Sequence, residues 1–151
     1  MRRRGAAFWF LNLLAVWTTV NGLAADWNYT HLFNPQWSPH AKYHDAVSIA
    51  ASIVLGLIGL IYLWRDGARS TAYLEFSMVA QCAFWLSLLL GFTFPGTAET
   101  AYEHPEIVPS IGPVRLNEII IGSSGIIFTL IAWTFEKRRR DQETNRATTM
   151  V

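Results

Sequence analysis

The sequence predicts an all-α, polytopic membrane protein: one domain, residues 1–151, folded as a bundle of four transmembrane helices with both termini in the cytosol. Three observations carry this. Hydrophobic residues make up 52% of the chain and charged residues 15%, against about 25% charged in ordinary soluble domains. The apolar residues gather into four runs, each close to the roughly 20 residues that cross the hydrocarbon core of a bilayer. The basic residues are sorted by side. Arg2, Arg3, Arg4, Arg65, Arg69, Lys137, Arg138, Arg139, Arg140 and Arg146 fall on the side of the termini, and only Lys42 and Arg115 fall on the other. Ten against two is a strong positive-inside bias. A soluble four-helix bundle is excluded, because "SIVLGLIGLIYLW" has no polar face at helical period.

The first helix is expected over about residues 6–25, with no Asp, Glu, Lys or Arg inside it. Asn12, Thr18, Thr19 and Asn21 would hydrogen-bond between helices. The same region has a rival reading. "MRRR", an apolar run and "NGLAA" resemble a secretory signal peptide with a small-x-small cleavage site. The second helix is expected over 39–64, with Ser38 as N-cap and Pro39 at the first helical position. Trp27, Tyr29, Trp37 and Tyr43 precede or open it, where an interfacial aromatic belt belongs. The third, about 71–94, carries Glu75 near its cytosolic end, a candidate partner for Arg69 or another basic residue at the rim. It also holds the lone cysteine, Cys82, which can form no internal disulfide and suits a packing position. The fourth, about 116–135, carries Glu118 near its start and is followed by a basic cytosolic tail, 136–151. The arginine runs read as topology anchors, so no nucleic-acid partner is expected.

Three of the four histidines lie in "HLFNPQWSPHAKYHDA", residues 31–46, on the non-cytosolic side. His40 and His44 are four apart and share a helix face. The row continues through Ser48, Ser52 and Gly56, and small residues mark close helix approach. This predicts that both histidines point into the bundle or into a cavity at its mouth. Glu118 heads a second row through Gly122, Gly125 and Thr129, and an acid in a membrane span is a functional candidate because burying it is costly. His40, His44, Asp45 and Glu118 are therefore the candidate catalytic residues. His31, Trp37 and Asp26 are the candidate substrate-binding residues, with Glu99, Glu103 and His104 at the same depth. Asn28-Tyr29-Thr30 matches a glycosylation acceptor on that side.

Three chemistries suit such a cluster. A neutral histidine can act as a general base, with Glu118 or Asp45 as acid or orienting partner. His-x-x-x-His can supply two metal ligands and a carboxylate a third, although the full H-E-x-x-H pattern is absent. The histidines can also hold a polar cap closed. Phosphate cradles, nucleophile elbows and nucleotide motifs are missing. The expectation is acid–base chemistry with no metal and no cofactor.

The segment "ADWNYTHLFNPQWSPHAKYHD" resembles the signature of a family of uncharacterised small four-helix membrane proteins of fungi and bacteria. That signature, D-W-N-x-T-H-x-x-N-P-x-W-x-P-H-A-x-x-H, falls on Asp26, Trp27, Asn28, Thr30, His31, Asn34, Pro35, Trp37, Pro39, His40, Ala41 and His44. "FPGTA", residues 94–98, is similar to the pattern before the family's last span. The resemblance implies the four-helix fold. Some fungal members lie among genes of secondary metabolism, which implies a biosynthetic role. The architecture, without any residue-level motif, is also similar to that of the sterol-isomerase and sigma-receptor-like superfamily. The expected function is binding or transforming a lipophilic small molecule at the endoplasmic reticulum membrane, by an isomerisation, cyclisation or dehydration. The alternative is a non-catalytic accessory or scaffold, with pathway enzymes or further copies of the chain as partners beside the membrane lipids.

Overall fold

A computed structural model describes residues 4–65 and 70–149. Helix α1 runs Ala6–Asp26, α2 Pro39–Trp64, α3 Thr71–Leu90, α4 Thr100–Glu103 and α5 Glu118–Thr149. A 3-10 turn, Gly91–Thr93, extends α3. A two-stranded hairpin, β1 Ser110–Ile111 with β2 Val114–Arg115, precedes α5. Gly112 opens its turn at φ 59°, the positive φ that the first residue of such a two-residue turn requires.

Helices α1, α2, α3 and α5 pack in a ring in that order, α5 closing against α1. Each is long and apolar enough to cross a membrane. Their outer surface is apolar as well: Leu13, Val54, Ile61, Phe76, Val79, Ile127 and Phe135 all face outward. Such a surface suits a multi-pass membrane protein, since a soluble monomer rarely exposes so much contiguous apolar area.

Small residues let the helices meet. A Cβ on Gly56 would sit 2.2 Å from Thr19 Oγ1 and 2.5 Å from the Thr19 backbone nitrogen. A Cβ on Gly125 would sit 2.5 Å from the Trp85 ring. Polar side chains then tie the contacts. Trp85 Nε1 donates to Thr18 Oγ1 at 3.1 Å, Trp64 Nε1 donates to Asn12 Oδ1, and Ser77 Oγ donates to the Gly59 carbonyl at 2.9 Å. The α1 polar residues Asn12 and Thr18 thus bond between helices, as their placement in an apolar span predicts. Cys82 is half-buried in α3 with a free thiol.

Two boundaries differ from expectation. The last helix does not stop at 135 but continues through Thr149. No Gly or Pro interrupts residues 136–149, and the Glu136–Arg140 and Arg139–Glu143 pairs at i,i+4 support further helix. Residues 116 and 117 lie outside it, because Asn117 Oδ1 accepts from Ile120 N at 3.1 Å and caps the N-terminus.

The end of the bundle that carries the termini is closed by charge. Glu136 is fully buried, held by Arg139 Nη2 at 2.7 Å and Arg140 Nε at 2.9 Å. Arg140 Nη1 reaches the Ser70 carbonyl at 3.4 Å. Glu75 pairs with Lys137 at 2.8 Å, so another basic residue at the rim is its partner; Arg69 lies outside the described residues.

Candidate functional site

The opposite end of the bundle holds a cavity of about 810 Å³, within the range of ordinary small-molecule sites. The last turns of α1 and α3 and the first turns of α2 and α5 form its walls, and the loops 27–38 and 94–117 form its rim. Trp17, Phe84, Leu88, Phe92, Ile107 and Ile121 give it an apolar body. Asp26, His31, Asp45 and Glu118 all reach it. Among the described residues no Lys or Arg lines it.

Asp26, His31 and Glu118 are positioned by identifiable side-chain contacts. Asp26 ends α1, and its Oδ1 lies 3.9 Å from His31 Nε2. Its other oxygen lies 3.4 Å from the Ser48 hydroxyl, which donates at 2.7 Å to the Asp45 carbonyl. Asp45 Oδ2 is buried without a hydrogen-bond partner. Glu118 is held at one oxygen and free at the other. Its Oε1 accepts from Thr100 N at 2.9 Å and from the Thr100 hydroxyl, while Oε2 is buried and unpartnered. Neighbouring Asn117 donates to Glu99, so loop 94–117 is fastened twice to the start of α5.

The tautomer of His31 follows from its turn. Asn28 Nδ2 donates to the Ala25 carbonyl at 2.5 Å, and Asn28 Oδ1 accepts from Thr30 N at 2.8 Å, which fixes which way the amide faces. The Thr30 hydroxyl then spends its single proton on Asn28 Oδ1, at 2.6 Å. His31 Nδ1, 2.8 Å from that hydroxyl, can only donate to it. A neutral His31 therefore carries its hydrogen on Nδ1 and presents the Nε2 lone pair beside Asp26. Trp37 packs edge-on against His31, ring centroids 5.7 Å apart, and backs the imidazole without lining the cavity.

His40 and His44 are a correction. They are exposed, they do not line the cavity, and they bond each other through Nε2 atoms 3.1 Å apart. Glu118 bonds Thr100 and not these histidines. The reason is helix geometry. A step of four residues turns the chain by about 400°, so a strict i,i+4 row drifts about 40° per step and about 160° from Gly56 back to His40. The buried stripe of α2 instead alternates threes and fours: Ile49, Ser52, Gly56, Gly59 and Leu63. Asp45, four before Ile49, belongs to that stripe and reaches the cavity.

Sequence reasoning missed several residues. Thr100 and Asn117 hold Glu118 and its loop, and only the N-cap position of Asn117 left a signal. Tyr29 lines the cavity, and its hydroxyl lies 3.5 Å from Glu106 Oε1; His104 Nδ1 lies 3.2 Å from the same oxygen. This clip joins the two rim loops. Its own backbone N–H, then His104 and Tyr29, hold the exposed Glu106 carboxyl below its ordinary range. His104 and Glu99 thus serve the rim, and Glu103 is exposed outside the cavity. Asn28 spends its amide inside its own turn.

The sequence model of a family of unknown function, DUF6640, matches residues 10–146. The chain belongs to that family. No curated protein and no solved structure matches it. The DUF6640 match runs from within α1 to within α5 and includes both rim loops, so the cavity-lining residues lie within it.

Proposed function

We propose that this DUF6640 protein binds a lipophilic small molecule in the cavity and transforms it by cofactor-independent acid–base chemistry, an isomerisation or cyclisation. The observation that carries this is the convergence of Asp26, His31, Asp45 and Glu118 in an apolar cavity with no Lys or Arg among its described lining residues. Three acids and no fixed cation favour a ligand that is positively charged or becomes so in the transition state, because preorganised charge is most effective where water is scarce. Roles follow from the contacts. Glu118 Oε2, when protonated, donates to one carbon of a substrate double bond, and Asp45 stabilises the carbocation that this forms. His31 Nε2 then takes a proton from a second carbon to restore the double bond, and the imidazolium formed lies beside Asp26. His40 and His44 take no part.

The basic residues support cytosolic termini, and the reading proposed here is of a protein of the endoplasmic reticulum membrane with its cavity open to the lumen. A biosynthetic role in secondary metabolism fits such a site. Gene deletion with metabolite profiling, then complementation, tests the reading. Wild type and His40→Ala should restore the missing product, and His31→Ala and Glu118→Gln should not, at equal protein abundance. Restoration by the His31→Ala/Glu118→Gln double variant would leave the scaffold reading in its place.

A further inference from the structure

We propose that His40 and His44 form a two-imidazole chelate for a divalent transition-metal ion, on the outside of α2 and independent of the cavity. Their Nε2 atoms lie 3.1 Å apart, one helical turn from each other, with ring centroids at 4.5 Å. Zinc–imidazole bonds are about 2.0–2.1 Å long, so one ion touching both nitrogens would subtend about 98° between them. That angle falls between the square-planar and tetrahedral values, so copper(II), nickel(II) and zinc(II) are the ions that fit. At this distance one ring donates an Nε2 hydrogen to the lone pair of the other. On binding, the imidazole holding that hydrogen on Nε2 moves to the Nδ1–H tautomer, and both lone pairs face the ion with no change of redox state.

The pair is suited to binding in two further ways. Both rings are exposed, so the ion has access and needs no opening of the bundle. The backbone that spaces them is fixed: Ser38 Oγ accepts from Ala41 N at 3.2 Å and Pro39 starts the helix, which sets the first turn before any ligand arrives. Among the described residues no third His, Cys, Asp or Glu completes the set. Water or an external donor fills the remaining positions. Such a sphere is open, as in catalytic and exchangeable metal sites, and unlike the closed sphere of structural ones.

The probe is copper(II) added to the full-length protein in detergent near neutral pH, read by electron paramagnetic resonance and by isothermal titration. The expected result is one high-affinity copper(II) per chain whose superhyperfine pattern shows two imidazole nitrogens. His40→Ala and His44→Ala should each weaken binding about tenfold or more by removing one of two ligands. His31→Ala, His104→Ala and Lys42→Ala should leave it unchanged. Zinc(II) should displace copper(II) only in excess, following the affinity order of divalent ions. The exposed position of both rings means the alanine variants fold, which circular dichroism checks. Unchanged copper(II) affinity in the His40→Ala/His44→Ala double variant overturns the proposal, as does a spectrum without nitrogen coupling.

Discussion

Helices α2 and α5 begin at the same end of the bundle and meet their neighbours through glycines, yet they bring different chemistry to the cavity. On α5 the inward stripe is Glu118, Gly122, Gly125, Thr129, Ala132 and Glu136. Its ends are 18 residues apart, which is about five full turns and about 27 Å, so an acid stands on the same face at each end. One acid opens into the cavity, and the other is sealed by two arginines. On α2 the inward stripe passes through Asp45, and the two histidines before it lie on the outside. Steps of alternating three and four keep to one face of a helix, whereas repeated steps of four wander around it. An i,i+4 histidine pair therefore says that two rings touch, and nothing about which way they face.

The largest expected effect breaks the contacts that both helices share. Gly56→Ala puts a methyl within 2.5 Å of α1 backbone, and Gly125→Ala puts one within 2.7 Å of several Trp85 ring atoms. Overpacking of this kind costs about 1–3 kcal/mol or more. Both variants should lose thermal stability and abundance, and Gly56→Ala should lose more, because backbone yields less than a ring. Equal, unperturbed melting would show that α1 and α2 are not in this contact.

The next effect sharpens the contrast between the two mouths. Asp26→Asn and Glu118→Gln should each lower cavity function at least about tenfold, roughly 1.4 kcal/mol in the barrier. His40→Ala and His44→Ala should change it by less than about twofold, the range of exposed substitutions. Loss of function in the histidine variants, with Asp26→Asn unaffected, would reverse the assignment of inward and outward faces.

A smaller effect probes how His31 is held. Thr30→Val removes the oxygen that accepts from His31 Nδ1 and frees the imidazole to change tautomer. A loss of about 1 kcal/mol, the size of one hydrogen bond, should appear as a several-fold drop in turnover with ligand affinity retained. Nitrogen chemical shifts of His31 should move from the Nδ1–H form to a mixture. A pure Nδ1–H signal in Thr30→Val would dissociate the tautomer from this contact.

The smallest effect concerns the rim clip. The Glu106 carboxyl is held below its ordinary 4.5, first by its own backbone N–H and then by His104. A depressed folded value contributes stability above the unfolded one and loses it as pH falls through the folded one. Protection of the rim-loop amides, as the ratio of intrinsic to observed exchange at each pH, should therefore be constant from neutral pH down to about 5 and fall only below 4.5. Glu106→Gln should abolish that fall and leave the bundle untouched.

Much of this arrangement was legible in the residues. Ser38-Pro39 fixed the start of α2, and four apolar runs fixed the spans, because a bilayer demands length and hydrophobicity that few other folds do. Glu118 reaches the cavity because its row mixes steps of three and four, which keep to one face of the helix. Glu136 was not, although it is fully buried. In the sequence it opens a basic tail, and only α5 continuing past residue 135, with Arg140 reaching back to Ser70, turns it inward.

The sequence by itself determined what can be read along one helix: four spans, the sorting of charge by side, the cap at Ser38, and the acids and histidines gathered at one end. Tertiary structure decided what depends on rotation and on partners distant in the chain. It turned Asp45 inward and His40 and His44 outward, set His31 beside Asp26, and gave Glu118 to Thr100. The physical reason is that hydrophobicity is nearly uniform around a membrane helix, so burial leaves little periodic trace. Orientation is set instead by glycines that admit a neighbour and by polar groups that must find a partner.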